Sequence, residues 1–184
     1  MKFILYTRIK WKHIFWLLIS FLCMMAFMRL TALQVKNISG GTEVLGLHFG
    51  NTVGGIRVTM DALGNDGRLY YLTHFLVIDF FYAMVYAAFY FCTILFLLYK
   101  NEIGSGKVIN ICWFPVAGMF FDWAENLLLS VIIVKWPANS AVLCIMLIVS
   151  NITKFLLVYL SLLLVVLLIC YAILKRNKDE QNFL

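Results

Sequence analysis

Two carboxylates and a carboxamide, Asp122, Glu125 and Asn126, interrupt the apolar run from Phe114 to Leu129. A charged side chain in hydrocarbon costs about 2.5–3.5 kcal/mol on insertion scales, so it persists where it has a partner or a task. Pro115, Gly118, Asp122, Glu125, Asn126 and Leu129 recur at steps of three and four, which puts them on one helical face. A second stripe, Asp79, Tyr82, Tyr86, Tyr90 and Thr93, has the same spacing and is flanked by the small Ala83 and Ala87. A third holds Asn151, Lys154, Val158 and Ser161, with Ser150 and Thr153 close by. Lys154 is the natural partner of the acids. One ammonium facing three carboxylates leaves negative charge over, to be met by a retained proton, by Arg29 or Arg68, or by a cation. Carboxyls crowded in a low dielectric share protons, which is how a general acid or a proton carrier is made. Asp122 and Glu125, three apart, are the pair expected to do so. Asp79, Asp122 and Glu125 are therefore the candidate catalytic groups. Asp79, Tyr82, Tyr86, Asp122, Glu125, Asn126, Asn151 and Lys154 are the candidate ligand-binding set.

Plainer readings stand beside these. The acids and Lys154 serve equally as an ion-pair network that fixes helix register. The tyrosines serve as packing with satisfied hydroxyls, and Pro115 and Gly118 as a kink or a close approach. His74 reads as an interfacial residue. Asn65-Asp66-Gly67, with Asp61 before it, reads as turn chemistry.

The elements that must position these groups are four hydrophobic segments, about 14–35, 70–99, 108–134 and 141–174. Each exceeds the ~20 residues that cross a bilayer core. Of the 184 residues, 64% are hydrophobic and only 13% charged, so an all-α polytopic membrane protein with a single four-helix domain is expected. The net charge of +6 reflects basic residues that flank membrane helices and meet anionic lipids, and no nucleic-acid partner is expected. With the N-terminus inside, nine of the fifteen Lys and Arg lie on the cytoplasmic side (Lys2, Arg8, Lys10, Lys12, Lys100, Lys107, Lys175, Arg176 and Lys178). Five lie outside, and Lys154 lies within a span, so both termini are expected in the cytoplasm. The first segment has the basic start of a signal peptide. Leu30-Thr31-Ala32 is a poor cleavage site, however, and Arg29 ends the run as an anchor, so the helix is expected to be retained.

Residues 36–69 form the one long connection and hold eight glycines. Weak alternation at Val44–Phe49 and Ile56–Met60 leaves a short hairpin or an ordered lid as alternatives. With a ~1.5 Å rise per residue, Asp79 and Lys154 stand about 30 Å above the inner helix ends, and Asp122 and Glu125 about 21 and 26 Å. All four charges thus fall in the outer part of the membrane, at the level that residues 36–69 would cover. Five dispersed cysteines without a Cys-x-x-C pair and three scattered histidines give no metal site and no cofactor.

The arrangement Gly67-Arg68-Leu69-Tyr70-Tyr71 before Asp79, followed by Asp122-x-x-Glu125-Asn126, resembles that of small four-helix bacterial membrane proteins without an assigned activity. The resemblance covers the second to fourth helices and implies an architecture and a multi-pass place in the bacterial inner membrane. In layout alone, four spans with acids in a membrane cavity are similar to the sterol-isomerase and sigma-2-receptor-like group, none of whose residues can be carried over. Lipoprotein signal peptidases share the size and an aspartate pair near the outer face, but their asparagine- and glycine-rich motifs are absent here.

The leading expectation is a site for a lipid or other hydrophobic small molecule, its chain along the tyrosines and its head at the acids. No nucleophile is evident, so both binding alone and catalysis by a protonated carboxyl stand. Proton, cation or small-amine transport is a second expectation, and it calls for a homo-oligomer or a partner membrane protein. A structural or accessory subunit is the third.

Overall fold

A computed structural model describes residues 9–103, 106–138 and 140–181, and only the backbone of 106, 107 and 178–181. The basic residues Lys2 and Arg8 and the side chains of Lys107 and Lys178 lie outside that description. Among the described residues the chain is mostly helical, with no strand. In chain order the helices are α1 (Trp11–Ile38), α2 (Val53–Ala62), α3 (Gly64–Tyr70), α4 (Leu76–Lys100), α5 (Phe114–Lys135) and α6 (Ala141–Gln181). A π-helical turn, Tyr71–Phe75, joins α3 to α4 without a break. The four apolar segments long enough to cross a bilayer are Trp11–Ile38, Gly64–Lys100, Val108–Lys135 and Ala141–Asn177, so this is an integral membrane protein of four spans.

The second span begins at Gly64, not near residue 70, because α3 and the π turn extend it. Asn65 and Asp66 are accordingly helical: Asp66 lies in the first turn of α3, where a carboxylate suits the helix dipole. The direction change falls one step earlier, at Gly64, whose φ of +63° favours a residue without a side chain.

Residues 36–69 are a folded cover, and the hairpin alternative does not occur. The period that decides this is helical. Ile56, Met60 and Leu63 sit four and three apart, and all three are buried. Thr52 caps α2 by accepting from the Gly55 N–H at 3.0 Å. A single 3₁₀ turn, Leu45–Leu47, lies beneath, with Leu45 and Gly46 buried. The cover is tied to the opposite loop, where the Trp136 indole N–H donates to Asp61 at 3.1 Å.

Burial separates the spans into a central pair and two flanks. The most apolar stretch is 44% buried in the second span and 39% in the third, against 11% in the first and fourth. Two apolar clusters fill the interior. One gathers Val35, Leu45, Met60, Phe75, Leu129 and Leu147 at the covered end. The other gathers Ala83, Tyr86, Ile94, Leu98, Cys112 and Leu168 at the far end. Leu76 of α4 belongs to the first cluster and Ala83 to the second, and Asp79 lies between them. Asp122 and Glu125 of α5 and Lys154 of α6 fall in the same gap.

Outside the bundle, Glu43 of the cover sits between two basic side chains, 3.0 Å from Lys36 and 2.7 Å from His48. The Lys36 ammonium, with His48 on the other side, holds the Glu43 carboxyl below its ordinary value of 4.5. A carboxyl depressed by folding contributes stability above its unfolded value and loses it as pH falls through the folded one. Acidification below 4.5 is therefore expected to loosen residues 41–47, seen as faster amide exchange after correction for the intrinsic pH effect. Glu43→Gln should exchange at one corrected rate across the same range. Equal acid responses in both proteins would remove Glu43 from the account.

Candidate functional site

The three polar stripes meet. Asp79, Asp122, Glu125, Asn126, Asn151 and Lys154 are all buried, none more than 7% exposed. The Lys154 ammonium lies 2.5 Å from Glu125 Oε2 and 3.2 Å from Asp122 Oδ1. It also donates to the Gly46 carbonyl at 3.2 Å, which fixes the 3₁₀ turn of the cover directly on the site. Asn151 Nδ2 donates to Glu125 Oε1 at 2.9 Å. The Gly46 N–H donates to the Tyr71 hydroxyl at 3.1 Å.

Gly46 occupies this place because its backbone must come close. A Cβ there would stand 3.7 Å from Glu125 Oε1, from Phe75 and from the Tyr71 hydroxyl, so a longer side chain has nowhere to go. Gly118 does the same for α5 and α6: a Cβ there would be 3.4 Å from Leu157 Cβ.

Neither arginine joins the acids. The Arg68 guanidinium donates to the Met60 carbonyl and the Asn65 side chain. Arg29 lines a shallow groove between α1 and the cover with Lys36, Glu43 and His48. One ammonium therefore serves three carboxyls.

The remaining members, Asp79 and Asn126, form a second half outside the ion pairs. Asp79 has no cation within ion-pair distance among the described residues, although it feels the charges of Asp122, Lys154 and Glu125. The Asn126 carboxamide faces Asp79, but neither its oxygen nor its nitrogen makes a hydrogen bond of normal geometry. The Tyr86 hydroxyl faces Asp122 and is likewise unpartnered, as is Asn151 Oδ1. Buried polar groups in folded proteins nearly always have partners, so a cluster of exceptions calls for an explanation.

A groove of about 390 Å³ reaches Asn126 from the outside of the bundle, between α4 and α5, and Asp79 does not line it. Its walls are Leu76, Phe80, Trp123 and Leu127, with Ser130 at one end and Asn126 at the polar point. The Phe80 and Trp123 rings stack at 4.7 Å, and the Trp123 N–H donates to the Phe80 carbonyl at 3.1 Å, which holds that wall rigid.

Not every candidate from the stripes belongs here. Tyr82 is half-buried and stacks on Phe21 of α1 at 5.8 Å, beside the cluster. Tyr90 and Thr93 pack in the far cluster, and the Thr93 hydroxyl donates to its own helix at Phe89. His74 is exposed and stacks on Tyr70. Tyr71 and Gly46 were not among the candidates. Tyr71 was findable, since Tyr71, Phe75 and Asp79 continue the α4 stripe at four-residue steps. Gly46 had no signal that distinguished it from seven other glycines.

The fold and site thus define a four-span membrane protein with a polar core closed at one end by its own folded cover. Comparison with protein-family models, with curated proteins and with solved structures gives no match in any of the three.

Proposed function

We propose that the protein binds a lipid or other hydrophobic small molecule, which enters sideways from the bilayer between α4 and α5. The apolar part lies in the groove, and the polar head meets Asn126 and Asp79. One observation carries this reading: the groove ends at the buried Asn126 carboxamide, which faces Asp79 and whose oxygen has no hydrogen-bond partner among the described residues. Pockets for small molecules have this character, apolar walls with a few convergent polar groups. With both termini cytoplasmic, the head would sit in the outer half of the membrane, under the cover.

A second reading is favoured for part of the site. Lys154 is engaged by two carboxylates and a backbone carbonyl, and that half is an ion-pair staple joining α5, α6 and the cover. Registry of helices is the best-attested use of such groups. The two readings divide the cluster between them: Lys154, Asp122, Glu125 and Asn151 hold the bundle, and Asp79 and Asn126 face the ligand.

Photo-crosslinking tests the groove. A long-chain alcohol carrying a diazirine in its chain, added to the protein in nanodiscs, should label α4 near Leu76–Phe81 and α5 near Trp123–Ser130. Leu127→Trp, which fills the groove, should reduce that labelling severalfold. Labelling spread over α1 and α6 in proportion to their greater exposure would contradict the proposal.

A further inference from the structure

The ligand class follows from charge, and the inference rests on the reading of the groove as a ligand site. We infer that the head this site selects is cationic, an alkylammonium whose chain lies in the α4–α5 groove and whose charge is neutralised by Asp79. Two features converge on it. Lys154 is shared between Asp122 and Glu125, so Asp79 is the carboxyl without a counter-ion of its own. A buried carboxylate in that state is costly, so the group keeps a proton or meets a cation, and a ligand that carries the cation supplies the second solution.

Asn126 is 7% exposed, and its side-chain oxygen is an unpartnered acceptor in front of Asp79. With the Asn126 carboxamide facing Asp79, the group left over is an acceptor, which an ammonium fills as a donor; an anionic head would face that oxygen and three carboxyls. The Phe80 and Trp123 rings, stacked on each other, give the chain of the ligand an apolar wall beside Asn126. A neutral alcohol satisfies Asn126 but leaves Asp79 as it is.

The test uses the full chain in phosphatidylcholine nanodiscs and three probes of equal chain length: dodecylammonium, dodecanol and laurate. Trp123 lines the groove, so binding is read as the part of the tryptophan emission change that Trp123→Phe lacks. Wild type should bind dodecylammonium about tenfold or more tightly than dodecanol, the scale of one charged hydrogen bond, and laurate least. Asp79→Asn should erase the preference while dodecanol binding persists, and Asp79→Glu should keep it. Equal binding of dodecylammonium and dodecanol by wild type would overturn the cation inference and leave the ligand site standing. A preference that survives in Asp79→Asn would overturn the assignment to Asp79. No Trp123-dependent response to any probe would overturn the ligand site itself.

Discussion

Lys154→Met is expected to be the most damaging single substitution in the protein, costing about 3–5 kcal/mol of stability. The lysine neutralises two buried carboxylates on α5 and holds the Gly46 carbonyl. Methionine keeps the length and the apolar stem but strands both acids. The loss should be recovered by removing what was stranded. Lys154→Met with Asp122→Asn alone recovers part of it, because Glu125 is the closer partner at 2.5 Å. Lys154→Met with Asp122→Asn and Glu125→Gln should come within about 1–2 kcal/mol of wild type, since breaking a buried pair is worse than replacing all of it. Unfolding in mixed micelles measures the series. Additive losses, with the triple variant worst, would remove the staple from the account.

The opposite sign is expected at the other half. Asp79→Leu/Asn126→Leu should stabilise the ligand-free protein by about 1–3 kcal/mol, because an unsatisfied buried polar group costs that much and an apolar replacement of similar length does not. Asn126 brings two unpartnered polar atoms and Asp79 a carboxyl without its own counter-ion. No normal hydrogen bond is lost in the exchange. The same variant should lose the ligand, a trade of function against stability of the kind found where a site is kept ready for its occupant. Thermal unfolding in one detergent decides it. A fall in midpoint would mean that Asp79 and Asn126 are partnered within the fold, and the open half would not exist.

Much of this site is legible in the sequence, because helical spacing and membrane thickness are strict. Charges at Asp79, Asp122, Glu125 and Lys154 that share a depth have to face one another in a four-helix bundle, and the stripes on α4, α5 and α6 say which way each helix turns. The division of labour inside the cluster is not legible. Spacing alone leaves Lys154 equally placed for all three acids. It goes to Asp122 and Glu125 because α6 packs more extensively on α5 than on α4.

The cover shows a different limit. Its glycines and short alternations suit a hairpin as well as a lid. The helices form because Ile56, Met60 and Leu63 find a common apolar surface, which is a tertiary fact. The contact of Gly46 with Lys154 spans 108 positions and rests on a backbone carbonyl, a group that every residue has. Spacing alone likewise leaves Arg68 within reach of the acids; its capture by Met60 and Asn65 depends on the turn at Gly64.

Native mass spectrometry of the purified full-length protein tests the central claim most directly, with wild type beside Asp79→Leu/Asn126→Leu. The account predicts a defined bound species in wild type that is absent from the variant. The variant's unchanged or higher melting midpoint would show that loss of the species is not loss of the fold. The same bound species in both proteins, or none in either, would contradict the account and leave the polar core as an ion-pair staple alone.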